Sequence, residues 1–164
     1  MRNLAELNAA TEDEFTRALG AVFEHSAWVA ARSYELRPFA SREQLHAAMC
    51  DTVRRAGDDE KLALIRAHPD LVGRAVLTTE SQREQASAGL GELSPDEVAQ
   101  FQRYNAEYRE RFGFPFVICA RLNKKEAILR AFPERLGNSR EKEIETALGE
   151  IYKIADLRLR DLIA

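Results

Sequence analysis

Apolar residues along this chain recur at the three-to-four-residue spacing of one helix face, and the segments that carry the pattern open on capping signals. Thr11-Glu12-Asp13-Glu14 has the capping-box form, a hydroxyl acceptor with a glutamate three residues on. Phe15, Ala18, Leu19, Val22 and Phe23 follow as one continuous stripe. Trp28 to Ala31 predict a second, mostly buried helix that stops near Arg37-Pro38, because proline disfavours helix in the residue before it. Ser41-Arg42-Glu43-Gln44 predicts another box, leading Leu45, Ala48, Met49, Thr52 and Val53 on one face, with Gly57 as the stop. Asp58 or Asp59 starts a short apolar helix that runs into His68-Pro69.

The second half repeats the theme. Ser94-Pro95-Asp96-Glu97 combines a cap, proline at the first helical position and acids in the first turn. Val98, Phe101, Asn105, Tyr108 and Phe112 follow, and Gly113 closes that helix. Asn123-Lys124-Lys125-Glu126 opens the next, with Ala127, Ile128, Ala131 and Phe132 on its apolar side. The last helix starts near Asn138 or Ser139, with a stripe of Ile144, Leu148, Ile151, Ala155 and Leu162. Only Phe114 to Ala120 departs from helical spacing; it is apolar and partly β-branched, yet no other segment alternates to pair with it. The expected fold is therefore all-α: a compact bundle of seven or eight helices with one buried extended connector, forming a single domain over residues 1–164.

Composition narrows the function classes. The chain has 164 residues, enough to bury about 70% of its unfolded surface. It carries 24 basic and 27 acidic residues, with no basic run interleaved with aromatics, so nucleic acid is not an expected partner. Two cysteines far apart, Cys50 and Cys119, exclude a disulfide-dense scaffold and a four-cysteine zinc site. The N-terminus does not read as a signal peptide, there is no apolar run of about 18 residues, and the last residues form no peroxisomal address; no membrane association is expected, and the cytoplasm is the default location.

Few residues stand out chemically. None of His25, His46 and His68 pairs at the spacing of a helical zinc site, so no metal is expected. His46 reads as a solvated or partly packed side chain, and His25 as a helix-end residue. His68 lies at the break made by Pro69, where it either caps the preceding helix or projects out of the helical pattern. The segment Leu77 to Leu90 is unusually polar; Ser81 and Glu84 could form a further capping box, or a face of small residues could admit a ligand close to the backbone. On the last helix, at about 100° per residue, Arg158 falls about 40° from the centre of the apolar stripe, whereas Arg160 falls on the opposite face. An arginine there either snorkels or needs a partner, and a ligand partner would be anionic.

Four motifs occur in order and at compatible spacing. They are Ala67-His68-Pro69-Asp70-Leu71; Leu77-Thr78 with Ser81-Gln82-Arg83-Glu84-Gln85 and Ala88-Gly89-Leu90; Phe112-Gly113-Phe114-Pro115-Phe116-Val117; and Ile154-Ala155 with Arg158-Leu159. Together they resemble the 2-oxo-4-hydroxy-4-carboxy-5-ureidoimidazoline (OHCU) decarboxylase family, over nearly the whole chain from Phe15 and Glu24-His25-Ser26 onward. The resemblance implies an all-α homodimeric enzyme of urate breakdown that converts the small molecule OHCU to (S)-allantoin and CO2 without a cofactor. By motif, His68 resembles the catalytic acid/base, Glu84 the catalytic carboxylate and Arg158 the family's arginine. Pro69, Ser81, Gln82, Arg83 and Gln85, with Phe116, Val117, Ile118, Cys119 and Ala120, resemble the substrate-contacting positions. Two rivals stand beside this reading: a non-catalytic helical protein that binds a ureide or purine product, and a decarboxylase of a related imidazoline acid.

Overall fold

Nine α-helices, two short 3-10 turns and no strand make up the described residues, 1–73 and 76–164, of this computed structural model. The all-α expectation holds, with more helices than the seven or eight the periodicity predicts. Packing divides the chain into two compact units, Met1–Ala67 with Tyr152–Ala164, and His68–Ile151.

The first unit holds α1 (Leu4–Ala9), α2 (Glu12–Leu19), α3 (Trp28–Ser33), α4 (Arg42–Arg54), α5 (Asp58–Arg66) and the end of α9 (Arg140–Leu162). The sequence pattern misses α1, which has six residues and a single buried one, Leu7, too short a run to show a period. Asn3 and Glu6 cap it reciprocally, and Arg37 Nη1 anchors its end by donating to the carbonyls of Asn8 (2.9 Å) and Ala10 (2.8 Å). The Thr11–Glu14 box forms as expected. α2 ends at Leu19, one turn before its apolar stripe does: Val22 and Phe23 are buried from a turn, in which His25 has φ 45°. Ser41 caps α4, but the reciprocal half of the box is absent because Gln44 Oε1 accepts from Ala40 instead. Gly57 is not the stop of α4; it is the N-cap of α5.

The second unit holds α6 (Thr79–Ser87), α7 (Pro95–Phe112), α8 (Lys125–Leu136) and the first part of α9. α7 shows the full predicted start, with a reciprocal Ser94–Glu97 box and Pro95 in the first turn. Its stop is Gly113 at φ 80°, left-handed geometry that favours glycine. The chain then runs non-helically through Phe114–Cys119, buried throughout, into a 3-10 turn at Ala120–Leu122. Aromatic rings hold this connector. Phe116 stacks on Phe132 at 3.9 Å between centroids, and Tyr108 meets Phe116 edge-on at 5.3 Å. α8 starts one residue later than Asn123 suggests, since that side chain donates to the Cys119 carbonyl (3.0 Å) rather than capping the helix, and α8 continues through Pro133. No helix among the described residues is long and apolar enough to cross a membrane.

Candidate active site

His68 follows the end of α5 by two residues and is 6% exposed, so its ring does not face bulk solvent. At the end of α5 the Ala67 amide donates to the Ala63 carbonyl (2.9 Å). The residue has interactions with its surroundings, while its Nε2 atom is buried without a hydrogen bond among the described residues. The segment after it is pinned from two helices. Asn105 on α7 donates to the Leu71 carbonyl (2.7 Å), and Arg109 pairs with Asp70 (2.9 Å). Gln85 on α6 accepts from the Val72 amide (3.2 Å) and donates to the Asp70 carbonyl (3.5 Å). Val72 sits at φ 56°, a strained geometry for a β-branched residue that persists only where the surroundings over-determine it.

The N-cap of α6 is Thr78, which accepts from the Ser81 amide (3.1 Å). Ser81 and Glu84 therefore lie inside the helix and do not form the capping box their spacing allows. Ser81, Glu84 and Gln85 share the buried face at helical spacing, whereas Gln82 and Arg83 are exposed. Of the small residues, Ala86 and Ser87 are exposed, whereas Ala88 is buried and Gly89 half-buried. This short helix thus buries a serine, a glutamate and a glutamine, and the Gln85 side-chain amide is taken up by the Val72 and Asp70 backbone.

Pro69 is partly buried; Phe116, Val117, Ile118, Cys119 and Ala120 are all buried. The connector lies next to α6: burial raises the Cys119 thiol above its ordinary value, and the charges of Glu150 and Glu84 raise it further. The Lys125 amide also donates to the Ala88 carbonyl (3.1 Å), and Lys124 Nζ donates to the Ser87 carbonyl (2.8 Å). Several connector polar groups are taken up internally. Val117 O accepts from Arg135 Nη1 (2.6 Å), the Cys119 amide donates to Glu150 Oε1 (3.2 Å), and Cys119 O accepts from Asn123. The second unit thus joins the His68 segment, α6 and the connector.

Arg158 belongs to the first unit. It is 4% exposed while Arg160 is exposed, as the helical wheel predicts. It does not snorkel. Nη1 donates to the Ala21 carbonyl (2.9 Å) and Nη2 pairs with Glu24 Oε2 (3.2 Å), so a carboxylate from the protein itself neutralises it. Glu24, 2% exposed, is a residue whose partner role the sequence pattern misses, because it lies in a turn without periodicity. Of the other histidines, His46 donates from Nε2 to the Tyr152 carbonyl (2.8 Å) and His25 is exposed. Among the described residues no three His, Cys, Asp or Glu side chains gather as a metal site.

The second unit therefore brings a buried histidine, the buried polar face of α6 and an apolar non-helical segment into one compact body. The OHCU decarboxylase family model matches residues 8–160, and the chain belongs to that family. It is 45% identical to the OHCU decarboxylase of Halalkalicoccus jeotgali, over 96% of this chain and 89% of that one. It is 42% identical to the uric acid degradation bifunctional protein PucL of Bacillus subtilis, over 99% of this chain and 33% of that one. Among solved structures, (S)-allantoin synthase superposes with a TM-score of 0.84 at 31% identity; this chain is covered entirely and spans 54% of that chain. An OHCU decarboxylase crystallised in the presence of (S)-allantoin gives a TM-score of 0.72 at 25% identity, over 93% of this chain and 98% of that one.

Proposed function

We propose that this protein decarboxylates OHCU to (S)-allantoin and CO2 in urate degradation, acting as a carbon–carbon lyase without a cofactor. The observation that carries this reading is that His68 and Glu84, the candidate acid/base and carboxylate, are both buried within one unit of a chain that the family model matches over residues 8–160. The reaction as drawn needs no external electron sink. The bond from the hydroxyl-bearing carbon to the carboxylate breaks and CO2 leaves. Its electron pair forms a double bond to the neighbouring carbon, and the electrons of the ring C=N move onto nitrogen, which takes a proton. The resulting enol gives up its hydroxyl proton, and the neighbouring carbon receives a proton on one face.

His68 is the acid/base for this traffic, since imidazole titrates near neutral pH. Glu84 orients it, and His68 or a water that it holds protonates one face of the enol. Arg158, the family-motif arginine, is neutralised within the first unit by Glu24 and holds the turn after α2 through the Ala21 carbonyl. Pro69, the Ser81 to Gln85 segment and the Phe116 to Ala120 segment contact the ring and ureido groups. Ser81 and Gln85 lie on the buried face of α6, which makes them stronger candidates for contact than exposed Gln82 and Arg83. The protein works as a homodimer in the cytoplasm; sedimentation and cell fractionation test those two points.

Freshly made OHCU decays spontaneously to racemic allantoin. The expected result is therefore fast formation of one enantiomer, read by circular dichroism. Tight binding of OHCU with no acceleration would favour the non-catalytic rival, and turnover of a related imidazoline acid in preference to OHCU would favour the other. Glu84→Gln should lower kcat severely while leaving the fold intact, whereas near-normal turnover removes Glu84 from the mechanism.

A further inference from the structure

Arg135 lies near the end of α8, in line with Ile128 and Phe132, and is 7% exposed. The reaction drawn above does not use it. Its guanidinium serves three groups at once: Nε donates to Glu143 Oε1 (2.7 Å), Nη1 to the Val117 carbonyl (2.6 Å) and Nη2 to the Tyr108 hydroxyl (3.4 Å). It also lies over the Phe116 ring, 4.1 Å from the centroid. Glu143 is fully buried, and it accepts from the Tyr108 hydroxyl at Oε1 (2.5 Å) and from Asn138 Nδ2 at Oε2 (2.9 Å).

A buried ion pair is weak support for stability, because desolvation offsets most of the attraction. The Val117 carbonyl needs a donor, since no sheet among the described residues supplies one, but a single neutral donor would suffice. A planar fork that holds a carbonyl and a carboxylate together, while stacking on the adjacent ring, fixes orientation as well. Two residues further on, Glu150 holds the Cys119 amide. In an extended segment the polar groups of alternate residues face opposite sides, so holding Val117 and Cys119 presents those of Ile118 the other way.

We propose that Arg135, charged and oriented by Glu143, is the positioning residue that sets the backbone of the Phe116 to Ala120 segment for substrate. This rests on the reading that the segment contacts OHCU. The test uses the full chain and fresh OHCU, with Arg135→Lys, Glu143→Gln and a connector control, Ile118→Gly. Because the segment would contact substrate and transition state alike, KM should rise about tenfold in all three variants with kcat little changed. A merely structural role would lower the melting temperature and the active fraction and leave KM where it was. No turnover by the unaltered protein would defeat the proposed function itself. An unchanged KM in Ile118→Gly would defeat the substrate-contacting connector. A raised KM in Ile118→Gly beside an unchanged one in folded Arg135→Lys and Glu143→Gln would overturn this inference alone. Should Arg135→Lys fail to fold, Glu143→Gln, which keeps the shape but removes the charge and turns one acceptor oxygen into a donor, decides by its KM.

Discussion

Two buried arginine–glutamate pairs, one in each unit, use the same chemistry for different ends. Arg135 and Glu143 are eight residues apart, and the guanidinium distributes its donors over a carboxylate, a hydroxyl and the Val117 carbonyl. Arg158 and Glu24 are 134 residues apart, and the guanidinium serves that carboxylate through Nη2 and the Ala21 carbonyl through Nη1. The first pair is a clamp on the connector. The second joins the far end of α9 to the turn after α2 and holds a family-motif arginine neutralised in the interior. Burial of an arginine therefore does not mark an anion site; what the remaining donors serve does.

The largest effect that could break this comparison is on stability. Arg135→Met leaves Glu143 buried without its cation and should cost roughly 3–5 kcal/mol in a urea titration. Adding Glu143→Leu should recover only part of that loss: the stranded charge is then gone, but the Val117 carbonyl and the Tyr108 hydroxyl still lack their partners. A cost below about 1 kcal/mol for the single variant would mean the pair is solvated, contrary to its burial. Next, Arg158→Lys should cost about 2 kcal/mol in the same titration, since a lysine cannot serve Glu24 and the Ala21 carbonyl in fork geometry, while exposed Arg160→Lys should stay near the unaltered protein. Equal effects would contradict the inward placement of Arg158. Smaller again, Asn138→Ala removes one hydrogen bond to Glu143 and should cost about 1 kcal/mol, readable as a lowered melting temperature.

The smallest effect is confined to alkaline pH. Burial pushes the Cys50 thiol of the first unit up from 9.0 to about 12. A folded value raised above the unfolded one means that the contribution is fully present below 9.0 and is lost as pH rises toward about 12. Cys50→Ala should flatten the alkaline fall in melting temperature. If the fall is unchanged, the second unit's Cys119, whose thiol is also raised, becomes the better candidate.

What the sequence shows of these features follows from their period. Long helices with caps, such as α7, were legible almost to the residue, as were the αL stop at Gly113 and the non-helical connector. Arg158 was legible because it interrupts a stripe, and Arg135 was legible in principle, one turn beyond Phe132 on the same face. Glu24 was not, because a turn imposes no spacing. α6 misled for a different reason: Ser81 and Glu84 satisfy a capping rule, yet Thr78 takes the cap and leaves both facing inward. Local capping rules do not register which of two candidate residues three positions apart takes the cap, so propensity alone could not place Ser81 and Glu84.

The central claim is that His68 moves the proton in a decarboxylation for which the substrate is its own electron sink. The most direct test follows the circular dichroism of allantoin formed from fresh OHCU by the unaltered chain and by His68→Ala, with folding checked by far-ultraviolet spectra. The account predicts rapid single-handed product from the former and a rate lower by at least about a hundredfold from a folded His68→Ala. Racemic product at the spontaneous rate from the unaltered chain, or undiminished single-handed product from His68→Ala, would contradict it.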